Sequence, residues 1–165
     1  MIASVVNQLV TALKTDAIGY QFHVDAVATK YSITLPTVPD SHIYGPDSPV
    51  DIKKVNLPAL VITPVDTDAA EVRSQGKRDS VHTIAFEYAT QEVDTSEWRN
   101  EAMYMAEALM RFLDLFNSCN TDYIGSSGAI VVQSWRCDYT VTWQSKPNEI
   151  RGFVLEADIF ARDTF

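Results

Sequence analysis

Cysteine, glycine and positive charge are scarce in this chain, and each shortage excludes something. The 2 cysteines among 165 residues, Cys119 and Cys137, are too few for a disulfide framework. Production in a reducing cytoplasm is the expectation. With 6 glycines there is little material for a glycine-rich phosphate loop. Ser126-Ser127-Gly128 after Gly125 comes nearest, and no lysine follows where such a loop needs one. Thirteen basic against 22 acidic residues leave a net charge of −9, which argues against a surface that grips nucleic acid. The same charge is compatible with a channel through which DNA slides without sticking. No apolar run reaches membrane-spanning length, so no membrane role is expected. The first charge, Lys14, follows the N-terminal apolar residues, the reverse of a signal peptide.

What the chain does have is alternation. After Gly128, residues Ala129, Val131, Trp135, Cys137, Tyr139, Val141 and Trp143 fall on one face of a strand. Ser134, Arg136, Asp138, Thr140 and Thr142 fall on the other. Further on, Phe153, Leu155, Ala157, Ile159 and Ala161 share a face against Gly152, Glu156 and Asp158. A period of two over such lengths means a sheet with one dry and one wet side. Matching apolar to apolar pairs 129–143 with 150–161 antiparallel, Val141 against Phe153, Tyr139 against Leu155 and Trp135 against Ile159. That register sets Arg136 against Asp158 and, repulsively, Asp138 against Glu156.

Upstream, Ile2, Val5, Val6, Leu9 and Leu13 have helical spacing, so 2–14 reads as an amphipathic helix. Residues 20–28 alternate weakly and read as a short edge strand. Pro36, Pro39, Pro46, Pro49 and Pro58 then exclude helix and central strand, which makes 34–57 an extended arm. Leu57–Val65 and Val81–Thr90 read as strands, joined by a charged loop from 66 to 80 with its tip near Gln75-Gly76. Asp94 and Glu97 have capping-box spacing and open a helix from about 95 to 117. Its core stripe is Trp98, Ala102, Met105, Leu109, Phe112, Leu113 and Phe116. The expected fold is α+β in a single domain spanning 1–165. It is an antiparallel β-sheet with an N-terminal helix and a long central helix packed on one face. A hydrophobic content of 46% is ordinary for such a globular domain.

Catalytic chemistry is hard to place on these residues. His23, His42 and His82 lack metal spacing, and Asp40, His42, Asp47 and Asp51 match no cation motif, so a solvated loop is the simpler reading. The carboxylates form no acid–base pair. Trp98, Trp135 and Trp143 fall on expected core faces, which weakens a carbohydrate platform. No enzyme activity, cofactor or metal is expected. Arg73, Lys77 and Arg78 are the one basic cluster, either a solvated hairpin tip or a loop that docks on an acidic neighbour such as a second copy. Ile43, Tyr44, Val50 and Ile52 are too few to fold the arm alone, so they are expected to lie across an adjacent subunit or partner ring. Asp138, Glu156 and Asp158 are candidates for an acidic wall.

The order of these elements resembles the tail terminator (tail completion) proteins of long-tailed bacteriophages. It runs through a short N-terminal helix, the Pro-flanked strand Leu57-Pro58-Ala59-Leu60-Val61-Ile62-Thr63-Pro64, and the basic loop Arg73 to Arg78. Then come the strand Val81 to Thr90, an acid-capped helix and a closing hairpin ending Phe160-Ala161-Arg162-Asp163. The arm at 34–57 departs from the compact members of that family. The resemblance implies a homo-hexameric ring on the last ring of the tail tube, which stops polymerisation and meets the neck. Its partners would be further copies of itself, the tail tube protein, a neck or head-completion protein and, in contractile tails, the tail sheath. DNA would pass through the lumen without specific binding. The protein would reside in the virion neck after assembly in the host cytoplasm. Two other readings remain: a different head–tail connector ring, and a stand-alone ligand- or carbohydrate-binding domain.

Overall fold

Apolar spacing explains most of the architecture. The computed structural model describes residues 2–15, 17–46, 51–73, 77–91, 97–118, 130–144 and 149–164; within these, the side chains of 69–78, 97–99, 117–118 and 162–164 are outside the description. Helix α1 (Ile2–Leu13) buries Val5, Val6, Leu9, Ala12 and Leu13, one stripe at steps of three and four. Helix α2 (Tyr20–Tyr31) follows. Strand β1 (Ile43–Tyr44) is short, whereas β2 (Ala59–Arg73) and β3 (Lys77–Thr90) form a long hairpin. Helix α3 (Glu97–Ser118) then leads to β4 (Ile130–Gln144) and β5 (Ile150–Thr164). The sheet runs β1-β2-β3-β5-β4, antiparallel except where β1 joins β2 in parallel. This is the expected α+β class.

All three helices pack on one side of the sheet. A continuous core joins Leu9 and Leu13 of α1, Tyr20 and Val24 of α2, and Met105, Leu109, Phe112 and Phe116 of α3. On the sheet side it includes Leu60, Phe86, Leu155 and Ile159. Polar atoms that enter this layer are tied down. The Tyr20 hydroxyl donates to the Met105 carbonyl at 3.0 Å, and the Tyr88 hydroxyl donates to Glu101 Oε1 at 2.6 Å. Burial raises both phenol pKa values well above their ordinary range.

Residues 20–28 are helical, not a strand. The buried set is Tyr20, His23, Val24 and Val27, a helical spacing. The alternation misled because Phe22 is 48% exposed while His23 is 5% exposed. The helix closes where Ser32 turns left-handed (φ 54°) and the Ile33 N–H reaches the Ala28 carbonyl at 3.0 Å.

His23 sits edge-on to Phe22 and Phe112 and hydrogen-bonds the Ile18 backbone carbonyl. Burial, the dominant cause, lowers its pKa from the ordinary 6.5. The unfolded chain therefore takes up the proton first as pH falls. Stability present above about pH 6.5 is lost on acidification towards the folded value. Urea titrations at pH 7.5 and 5 should show a smaller pH loss in His23→Gln than in the parent chain. An equal loss would place the acid sensitivity elsewhere.

The described parts of the arm lie on the chain itself. Val38 and Ile43 are buried in the main core, and the Val38 N–H donates to Gln21 Oε1 at 2.9 Å. The imidazole Nδ1 of His42 donates to the Pro58 carbonyl at 2.9 Å. Ile52 packs with Val61, Ala89 and Ile150 in a second cluster on the opposite face of the sheet. Ile43 at 3% exposure and Ile52 at 8% are core residues, a correction to their reading as inter-subunit contacts. Tyr44 is half-buried against the second cluster, and Val50 lies outside the described residues.

The 66–80 segment is also more regular than expected. Its backbone extends β2 and β3 until Arg73 pairs with Lys77, and the expected tip at Gln75-Gly76 lies outside the described residues. The Asp94–Glu97 capping box lies outside the described residues.

Candidate functional site

The sheet face away from the helices is where the expected acidic residues meet. Strands β3, β5 and β4 contribute Thr83, then Glu156 and Asp158, then Ser134 and Arg136, around an open depression of about 280 Å³. The closing hairpin pairs antiparallel as expected, but its register differs. Arg136 lies opposite Glu156, Asp138 opposite Val154, Trp135 opposite Ala157 and Val132 opposite Ile159. The expected repulsion between Asp138 and Glu156 is thus replaced by an Arg136–Glu156 ion pair, with Nε to Oε2 at 2.7 Å.

The cause is a set of irregularities in β4, between Val132 and Ser134, Asp138 and Val141, and Thr142 and Gln144. An inserted residue reverses which face the following side chains take. Ile130 and Val132 are buried, while Val131 is 36% exposed. Trp135 and Tyr139, both expected in the core, are 42% and 38% exposed. Trp143 packs onto the second cluster and hydrogen-bonds Glu87, whose pKa burial raises.

Asp158 is held in place by two hydroxyl groups. It accepts from the Ser134 hydroxyl at 2.8 Å and the Thr83 hydroxyl at 2.8 Å. Ser134 chiefly, and Thr83 with it, hold its pKa below the usual aspartate value. Asp138 is exposed and accepts from the Thr140 backbone N–H at 3.0 Å. Burial pushes the half-buried Cys137 thiol up to about 12, with Asp138 adding to it, so it is a poor nucleophile. Thr83 and Ser134 carried no sequence signal beyond their wet-face positions, because their role depends on the true register.

Elsewhere, buried His82 lies between the Thr67 and Ser80 hydroxyls, at 3.0 and 2.9 Å. His42 is occupied by Pro58, so the three histidines remain apart. Among the described residues, no group of three or more His, Cys, Asp or Glu could hold a metal ion. No described helix is long and apolar enough to cross a membrane. Arg73, Lys77 and Arg78 lie on the backbone at the hairpin end, with side chains outside the description.

Neither a scan against known protein-family models nor a search of curated proteins returns a match for this chain.

Proposed function

We propose that this chain is a structural virion protein, a tail terminator whose copies form a ring at the end of a bacteriophage tail tube. The observation that carries the reading is the placement of the three α-helices on one face of the sheet, with only the smaller Ile52 cluster covering part of the other. The helices occupy one face, and the other presents Asp138, Glu156 and Asp158. In a ring, that second face lines the lumen. Repeated carboxylates there repel DNA phosphates, so the genome passes without being held. Arg136 offsets one charge per copy by pairing with Glu156. Asp158, held ionised by two hydroxyls, is the most persistent element of the wall.

The hairpin end bearing Arg73, Lys77 and Arg78 serves as the basic contact to the acidic neighbouring copy or to the tube protein. The neck or head-completion protein meets the opposite rim, and a contractile tail adds the sheath. The element order of the tail terminator family supports this assignment over another connector ring. Tail length is the test. Phage lacking this chain should carry tubes of uncontrolled length that fail to join heads, and supplying the protein should restore both. Tails of normal length without it would overturn the proposal.

A further inference from the structure

Among the described residues, β4 is the terminal strand of the sheet, and no described strand pairs with the outer edge of Ser134 to Asp138. It is 15 residues long and holds neither lysine nor proline, the residues that most often blunt such an edge. Three of the exposed large apolar side chains of the molecule are on it: Val131, Trp135 and Tyr139. Between its first two irregularities, Ser134 to Asp138 run in unbroken register against β5.

The sequence around Cys137 is self-complementary in a way that names its occupant. We propose that the free β4 edge pairs antiparallel with β4 of a second copy about a two-fold axis through Cys137. Arg136 of each chain then faces Asp138 of the other, and Trp135 faces Tyr139. Ser134 faces Thr140. Opposite charges and paired aromatics are the favourable cross-strand combinations, and the two-fold makes each occur twice.

Moving the axis one residue loses the match, setting Ser134 against Asp138 or Arg136 against Thr140. Partners about a residue-centred axis also share parity, so outward-facing backbone groups meet outward-facing ones. Such an axis stands normal to the sheet and keeps like faces together. Arg136 with Asp138 falls on the open face, Trp135 with Tyr139 on the helix side. The Arg136 side chain is 83% exposed despite its bond to Glu156, leaving its outer nitrogens able to reach across. Ser134 to Asp138 is the unbroken stretch, and Tyr139 and Thr140 fall inside the second irregularity, so the contact is short and belongs to the weak, transient class. Two copies joined this way close on themselves. The pair is therefore a form of the free chain, distinct from a ring and independent of the tail reading.

Charge reversal with mixing tests it by sedimentation equilibrium and native mass spectrometry. The parent chain should show a monomer–dimer equilibrium. Arg136→Asp and Asp138→Arg should each weaken the dimer by about tenfold or more, 1.4 kcal/mol. An equimolar mixture should recover dimers holding one copy of each, because the unlike chains again place opposite charges face to face. Should Arg136→Asp misfold through loss of Glu156, hydrogen exchange of the parent chain decides. Amide protection within 134–140 should rise with protein concentration. A chain monomeric at all concentrations, a dimer indifferent to Asp138→Arg, or exchange independent of concentration would each overturn the proposal.

Discussion

Replacing Gly152 with alanine should destabilise the chain by about 3 kcal/mol or more, although the side chain added is a single methyl. Gly152 pairs with Ala89 on β3 and Val141 on β4, in the middle of the sheet. A Cβ there would lie 1.7 Å from the Tyr88 carbonyl oxygen and 2.8 Å from its carbon. Both are backbone atoms, so no rotamer change relieves the contact; β3 and β5 must part. Tyr88 and Phe153 stack at 5.4 Å beside this point, so the separation also loosens the core. Urea unfolding monitored by circular dichroism should show the midpoint fall with little change in slope. Alanine tolerated within about 0.5 kcal/mol would mean that the two strands are spaced more widely here.

Phe112→Ala should cost about 3–5 kcal/mol, the range for removing a buried aromatic. Phe112 is fully buried on α3, where it meets His23 of α2 at 6.1 Å and Phe116 at 5.9 Å. Its loss opens a cavity between two helices and the sheet, where collapse is opposed by the Tyr20–Met105 hydrogen bond. His23 would also lose part of the shielding that lowers its pKa, so the variant should show a weaker acid effect. Chemical denaturation at two pH values reads both consequences. A loss below about 1 kcal/mol would contradict the packing described for α2 and α3.

Elements with one unbroken period were legible from sequence; those whose period is interrupted were not. Helix α1 buries Val5, Val6, Leu9 and Leu13 and helix α3 buries Ala102, Met105, Leu109, Phe112, Leu113 and Phe116, as their spacing indicated, with the side chain of Trp98 outside the description, and β3 and β5 pair without a register shift. The long hairpin was read too short because Asp66, Thr67 and Asp68 are polar on both sides, a pattern that periodicity cannot separate from a loop. Helix α2 was missed because His23 is inside and Phe22 outside, the inverse of their usual tendencies. The arm looked unattached because its apolar residues are few. Ile43 and Ile52 are nevertheless buried in two clusters on opposite faces of the sheet, a long-range outcome with no local signature.

The candidate site was half legible. Asp138, Glu156, Asp158 and Arg136 were placed on the correct face, whereas their pairing was not. A β-bulge leaves no mark in composition, and each one shifts every cross-strand partner beyond it. Trp135 accordingly pairs with Ala157 where Ile159 was expected, and although alternation gave it the core-side face, it stands 42% exposed on β4, the terminal strand among the described residues.

The most direct measurement of the ring reading is electron cryomicroscopy of tails from phage carrying this chain, reconstructed at the head-proximal end of the tube. The reading predicts a six-fold ring with the helices outside and the face bearing Asp158 turned to the lumen. Tails whose end lacks the chain, or a ring whose helices line the channel, would contradict it.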